Sequence, residues 1–362
     1  AIAHRGPDDE GYFFLDVRDA AWRAFSGAES HPAVRQRLPL LEPGADRLGS
    51  IALGHRRFAI VDPEPRAHQP FLVGDGPYVL AFNGEIYNHP ELRQVLEEEG
   101  NVFRTRSDTE VFLQAYRKWG TGCFERFHGF WASALYDGPG RRLVLSRDRL
   151  GKKPLFWAVA GRRLYFASEI KSLLAVPVLR RGMRVDDAAV HAWLAHGRKD
   201  AEGRTFFAGI APFPAASWAV VDRGFPRGAV RFWRLPDRRW KESEIGPDEA
   251  AREVRETLSD AVRIRLRADV PVAVELSGGM DSSAVAACAA AWPGAPRVAY
   301  TAGYDRADLN EVPYARCAAA RAGLECRVLP EPSGAIWSRI LAYTVLAEEP
   351  YHAPNLQVNQ AV

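Results

Sequence analysis

Residues 277–283 read Ser-Gly-Gly-Met-Asp-Ser-Ser, a run of two glycines, three hydroxyls and one acid. That mixture suits an anion. Backbone N–H groups at Ser277, Gly278 and Gly279 can face a phosphate, and the two glycines let the backbone approach it with no Cβ in the way. A helix opening on Asp281-Ser282-Ser283 would add its first N–H groups and the positive end of its dipole. Asp281 would repel a phosphate unless a Mg2+ ion bridges the two. The alternative is a plain strand-to-helix turn, with glycine for geometry and Asp or Ser as the N-cap. There is no GxxxxGK[ST] run and no lysine in the loop, so it is not a Walker loop.

Such a loop needs a parallel sheet behind it, because ligands of open α/β sheets bind at the carboxyl ends of the strands. The surrounding pattern supplies one. A helix is expected over 248–267, then strand 270–276, helix 281–292, strand 297–302, helix 311–322, strand 325–329 and helix 333–347. Residues 235–247 are polar and Pro-bearing, and read as a linker.

Residues 1–234 are organised differently, with many short strand candidates and turn punctuation. Pro90–Glu99 reads as a helix with Pro at its first position and a stop at Gly100. Ser107–Trp119 reads as a second, opened by a Ser107/Glu110 capping box, with apolar residues at 111, 112, 115, 116 and 119. This half is expected to be α+β with much antiparallel sheet. Taken singly, its polar segments have structural readings. LGHRRFAIVD (53–62) is a strand with a basic edge, and FNGEIYN (82–88) a hairpin turning at Asn-Gly. SDTE (107–110) is a helix cap with an acid in the first turn, and HRGPDDEG (4–11) an unusual loop.

The composition limits the partners. The chain has 362 residues, long enough for two domains, with 47% hydrophobic and 26% charged residues. Its net charge of +3 comes from arginines dispersed along the chain rather than clustered as a nucleic-acid groove requires. The longest apolar run, 284–292, is far short of the ~20 residues of a membrane span. Four cysteines without a CxxC pair, and no signal-like start, suggest a reducing cytoplasm. Nine scattered histidines show no HExxH-like spacing.

The 277–283 run resembles the SGG[LV]DSS loop of the N-type ATP pyrophosphatases, matching at six of seven positions with Met280 for Leu or Val. The resemblance implies cleavage of ATP between the α and β phosphates, with adenylation of a substrate and release of pyrophosphate. It implies an ATP/pyrophosphate site at Leu276, Ser277, Gly278, Gly279, Asp281, Ser282, Ser283 and Ala302. Leu276 and Ala302, at the ends of two strands, would line the adenosine pocket, and Asp281 would reach Mg2+ through the pyrophosphate.

The four segments of the first half, with SRDRLGKKPLFW (146–157) and LYFASEIKSLL (164–174), together resemble the class II glutamine amidotransferase domain of asparagine synthetases. The two halves stand in that family's order. The implied fold is an Ntn-hydrolase-like αββα sandwich at 1–234, followed by an adenine nucleotide α-hydrolase-like α/β domain at 248–362. The implied glutamine site is Arg57, Ile60, Val61, Asn83, Gly84, Glu85 and Asp108. Arg57 would clamp the α-carboxylate with a bidentate fork, and Glu85 and Asp108 would receive the α-ammonium. Asn83 and Gly84 would donate to the oxyanion, with Ile60 and Val61 adding backbone contacts. Ammonia would pass internally to attack an acyl-adenylate, for which aspartate is the modal substrate.

The family's nucleophile is a cysteine at position one of the mature chain, its own α-amine the base. Ala1 cannot serve, and Cys123 lies in a core-like segment. Either a lead-in carrying that cysteine precedes Ala1, which the complete recognition set favours, or the glutaminase half is inactive. An inactive half would fit an ATP-dependent cyclase of β-lactam synthetase or lasso-peptide type; a third reading is a non-catalytic paralogue. The family's second, SGEGSDE-type loop does not occur, though EEPYHAPN (348–355) looks like the stretch leading toward it. Glutamine, ATP and a carboxylate are the expected partners, with no nucleic acid, no membrane and a homodimer allowed.

Overall fold

The computed structural model describes residues 1–42, 49–73, 77–199, 203–222, 225–226, 228–331 and 335–350. The end of the EEPYHAPN stretch therefore lies outside the described residues. The chain divides into two compact units, Ala1–Leu235 and Pro236–Val362.

In the first unit, β1 (Asp9–Leu15), β2 (Trp22–Ser26) and β3 (Ile51–Arg57) form an antiparallel sheet in the order β2-β1-β3, with the short helix α1 (Pro32–Arg35) beside it in sequence. Next come β4 (Phe71–Val73), β5 (Tyr78–Ile86), helices α2 (His89–Glu98), α3 (Asp108–Trp119) and α4 (Cys123–Arg126), then β6 (Gly129–Asp137) and β7 (Arg142–Arg147). The following elements are β8 (Phe156–Ala160), β9 (Arg163–Ala167), α5 (Ile170–Leu174), α6 (Pro177–Arg181), β10 (Arg184–Val185), α7 (Asp187–His196), β11 (Phe207–Ala208) and β12 (Ile210–Pro212). Strands β13 (Ser217–Asp222), β14 (Phe225–Pro226) and β15 (Val230–Arg231) complete the unit. The main sheet runs β14-β13-β7-β6-β5-β4 with β15 on β13, and a further three-stranded sheet runs β12-β8-β9.

Period-two alternation divides the core into layers. Leu80, Phe82, Ile86, Trp131 and Leu135 of the main sheet face Leu92 and Leu96 of α2 and the 111–116 face of α3. Their neighbours Val79, Ala132, Ala134 and Tyr136 face Phe13, Leu15 and Leu53 of the β1–β3 sheet, with Trp157, Leu164 and Phe166 of β8 and β9. On the far side of β8, Ala158 packs with Ile170 and Leu173 of α5. The layers thus run helix, sheet, sheet, helix.

Two local expectations are corrected. Asn83-Gly84 is not a hairpin turn: β5 runs straight through it, with Asn83 opposite Ala132 and Gly84 opposite Trp131 on β6. Glycine is required there by crowding, because a Cβ would lie 2.2 Å from the Phe130 carbonyl oxygen and 2.7 Å from Trp131 Cα. The capping box is half made. Ser107 Oγ accepts the Glu110 N–H at 3.3 Å, but the Glu110 carboxylate reaches the N–H groups of Arg104 and Thr105 rather than that of Ser107.

In the second unit, helix α8 (Pro247–Arg265) precedes β16 (Val274–Glu275), α9 (Met280–Ala290), β17 (Val298–Tyr304), α10 (Val312–Ala322), β18 (Glu325–Glu331) and α11 (Ala335–Ala347). The three strands are parallel in the order β16-β17-β18. Leu276, Ala286, Ala289, Ala299, Ala315 and Ala319 form the core beneath the helices. Alanines on α9 and α10 let the helices lie close to the sheet.

Candidate functional site

The open edge of β5 shapes the first site. Strand β4 covers β5 only as far as Leu80, so the N–H groups beyond it point outward. Gln69 Oε1 takes the Phe82 N–H at 2.8 Å, and Asp108 Oδ2 takes the Ile86 N–H at 2.9 Å. By the strand's alternation the Gly84 N–H points to the same edge, midway between them. Among the described residues no side chain takes it, and Gly84 lines a cleft of about 360 Å3. Asn83 and Glu85, two residues apart, share the other face of the strand at this spot.

All seven residues expected to recognise glutamine line this one cleft: Arg57, Ile60, Val61, Asn83, Gly84, Glu85 and Asp108. Arg57 lines the cleft and also braces the loop beside it. Its guanidinium donates to the carbonyls of Glu64 at 3.1 Å, Val61 at 3.3 Å and Asp62 at 2.5 Å. Three N–H bonds thus shape the 60–64 loop, leaving two of the five for a ligand. Arg56, the adjacent cation, is committed to Glu10 and Glu29 at 2.8 and 2.6 Å.

Burial controls the charges. It raises the Asp108 carboxyl to about 7, with the nearby Glu85 charge adding and the Ile86 and Thr109 N–H groups and Arg57 opposing. Glu85 is also raised by burial, against the pull of Lys153. Two carboxyls reluctant to ionise beside each other make a receptor for a cation, which would relieve both. His55 has an edge open to the cleft but is otherwise enclosed, and burial, Arg57 and His68 press it down to about 3, so it is neutral.

Sequence reasoning missed several lining residues: His4, Arg5, His55, Gln69, Thr109 and Lys153. The 148–153 loop explains the last. Asp148 is fully buried and accepts the N–H groups of Trp131, Leu150, Lys152 and Lys153. Arg147 donates to the carbonyls of Gly151 and Lys153. The SRDRLGKK motif is thus mostly a loop-building device that brings Lys153 to the cleft.

A second cavity of about 180 Å3 adjoins the first, sharing Arg5, His55, Arg56, Phe82 and Asn83. One side is Gly54–Arg56 of β3 and the other is Phe166–Ser168 at the end of β9, each strand being the edge of its sheet; Ala132 and Ala134 floor it. Two unpaired edges facing one slot can accept an added strand. No cysteine lines either cavity. Cys123 is fully buried in the helix-side core, which pushes its thiol well above the ordinary range and removes it as a nucleophile.

In the second unit, β16 leads through Leu276 into the 277–283 loop. Gly278 has φ +84°, and a Cβ there would lie 2.4 Å from the Tyr314 backbone on α10, so only glycine fits. Gly279 leaves the start of α9 without a side-chain cap, so early N–H groups stay available to an anion. The hydroxyls bond among themselves: Ser277 Oγ lies 3.0 Å from Ser282 Oγ and accepts the Gly279 N–H at 3.3 Å. Gly278 and Ser283 line a groove of about 820 Å3 between α9 and α10. Asp281 is exposed in the first turn of α9. Leu276 is 2% exposed, its side chain in the core. Ala302 lies inside β17, opposite Leu329, rather than at the strand's end. Among the described residues no group of three His, Cys, Asp or Glu side chains could hold a metal, and no helix is long and apolar enough to cross a membrane.

Comparison with known proteins agrees with this division. A glutamine amidotransferase domain model matches residues 40–233, and an asparagine synthase model matches 253–353. Asparagine synthetase [glutamine-hydrolyzing] 1 of Bacillus subtilis is 30% identical over 324 residues, covering 90% of this chain and 45% of the relative. Asparagine synthetase [glutamine-hydrolyzing] 3 of the same organism is 36% identical over 243 residues, covering 66% and 38%. Among solved structures, glutamine phosphoribosylpyrophosphate amidotransferase from B. subtilis covers 90% of this chain and 60% of its own, at 17% identity and a TM-score of 0.46. The chain spans about half the length, or less, of the curated relatives it matches.

Proposed function

The chain belongs to the asparagine synthetase family, and from that premise we propose that its first unit hydrolyses glutamine and its second uses ATP to amidate a carboxylate, aspartate being the modal substrate. The observation that carries this reading is the convergence of the Gly84 N–H, the Asn83 amide, Arg57 and the Glu85/Asp108 pair on one cleft. A free amino acid with a side-chain amide fits that set. Its α-ammonium satisfies Glu85 and Asp108, and its α-carboxylate takes an N–H group that Arg57 has left. The amide carbonyl then meets Asn83 and Gly84, whose donors strengthen as the oxygen becomes an oxyanion.

The nucleophile of this reading, a cysteine, would act beside Asn83 and Gly84; none of this chain's four cysteines lines the cleft. In the second unit, Gly278, Gly279 and the uncapped start of α9 would hold the pyrophosphate of ATP. Asp281 would act through a Mg2+ ion shared with the phosphates, since Mg2+ commonly binds through one or two carboxylates plus substrate phosphates. The carboxylate, joined to AMP as pyrophosphate leaves ATP, would then be attacked by ammonia from glutamine, forming the amide and expelling AMP.

The full-length protein should release glutamate from glutamine, and Asp108→Asn should remove that activity while ammonia-driven synthesis continues. Undiminished glutamine use by the variant would refute the assignment of the cleft.

A further inference from the structure

Between β9 and α5 lies the dipeptide Ser168-Glu169, and each residue reaches a different wall of the cleft. Ser168 Oγ accepts from Asn83 Nδ2 at 3.3 Å. Glu169 is 5% exposed; its Oε1 accepts from Arg5 Nη1 at 2.9 Å and pairs with His4 Nε2 at 3.0 Å, while Oε2 meets Lys171 Nζ at 2.8 Å. His4 and Arg5 line the cleft together with Asn83. Burial alone would raise this carboxyl, but Lys171, Arg5 and His4 hold it below the usual range. A buried carboxylate is costly unless its partners are well placed, and two of these partners are 164 and 165 residues away in sequence.

We infer that Ser168-Glu169 is a positioning element for the glutamine reaction, fixing the Asn83 amide and the His4-Arg5 turn to one point of the fold. The inference rests on the glutamine reading above. Adjacent residues cannot drift apart, so the amide and the turn keep a fixed separation. Arg57, Glu85 and Asp108 hold the amino-acid end of the substrate and do not touch this pair. The pair therefore governs the reacting end and not affinity. Removing either contact should lower kcat and leave KM nearly unchanged.

The test uses the full-length protein with Ser168→Ala and, separately, Glu169→Gln, which keeps the side-chain shape and removes the charge. Each should lose about ten- to a hundredfold in kcat for glutamine hydrolysis, with KM within about threefold of the parent. In Glu169→Gln, amide hydrogen exchange should rise at Arg5 and Gly6, whose N–H groups bond Ile2 and Ala3 carbonyls at 3.1 and 3.2 Å. The β5–β6 ladder should keep its protection. An unchanged kcat, a loss carried by KM, or loosening across the whole unit would overturn the inference. If the parent hydrolyses no glutamine, the proposed function fails by itself. Exchange then decides the anchoring: unchanged protection at Arg5 and Gly6 overturns it, and a rise confined there sustains it.

Discussion

The Asp108 carboxylate accepts the Ile86 N–H at 2.9 Å, joining the first turn of α3 to the end of β5. That bond puts Asp108 close enough to Glu85 for their charges to interact, in a wall with little water.

Asp108, raised from 3.8 to about 7, is expected to set a pH dependence. Its folded value lies above its unfolded one, so its contribution to stability is full below about pH 4 and is lost as pH rises through about 7. The loss is on the order of 2–4 kcal/mol. Asp108→Asn removes it, so urea unfolding should find the variant gaining on the parent between pH 5 and pH 8. Glutamine binding should run the other way in the parent, tightening as pH rises and releasing a proton below pH 7. Calorimetry in two buffers of different ionisation heat reads that proton, and its absence would contradict the ammonium role.

Arg57→Lys should raise KM for glutamine by about tenfold or more. The loss has two sources: contact with the carboxylate and the loop held through Val61, Asp62 and Glu64. Ammonia-driven synthesis should barely change. Equal loss in both assays would make Arg57 a structural residue only.

Gly84→Ala should destabilise the first unit by about 1–3 kcal/mol, because the new Cβ must displace the Phe130 carbonyl. Glutamine hydrolysis should fall with it, since the displaced strand moves the N–H that faces the cleft. An alanine variant with normal stability and activity would mean the ladder yields at this point.

Much of this arrangement was legible in the sequence, and the reasons it was not elsewhere are physical. The strand–helix alternation after residue 247 and the Ser107 cap depend on local patterns, and the folded chain has them. Asn-Gly at 83–84 carries a strong local turn preference, but crowding against β6, 47 residues further along the chain, decides its conformation. His55, Gln69, Lys153 and Glu169 belong to no spacing rule. Each acts on the cleft through a contact between distant segments, and no local period encodes such a contact. Leu276 and Ala302 were expected at the nucleotide, yet the former's side chain is core and the latter is interior to its strand.

Two substitutions in the 277–283 loop should separate geometry from charge. Gly278→Ala faces both a positive φ and the Tyr314 backbone, and should disrupt the loop and lower the unfolding temperature. Asp281 is exposed, so Asp281→Ala should leave stability within about 0.5 kcal/mol of the parent. It should nonetheless depress synthesis by about two orders of magnitude or more. Glutamine hydrolysis should survive in both variants. Unimpaired synthesis in Asp281→Ala would remove the metal from the account.

Nitrogen transfer tests the central claim most directly. The full-length protein would be given amide-15N glutamine, ATP, Mg2+ and aspartate, and followed by nitrogen and phosphorus NMR. The expected result is 15N in the new side-chain amide, with AMP and pyrophosphate appearing in step with glutamate. An unlabelled amide, or ADP and phosphate in place of AMP and pyrophosphate, would contradict it.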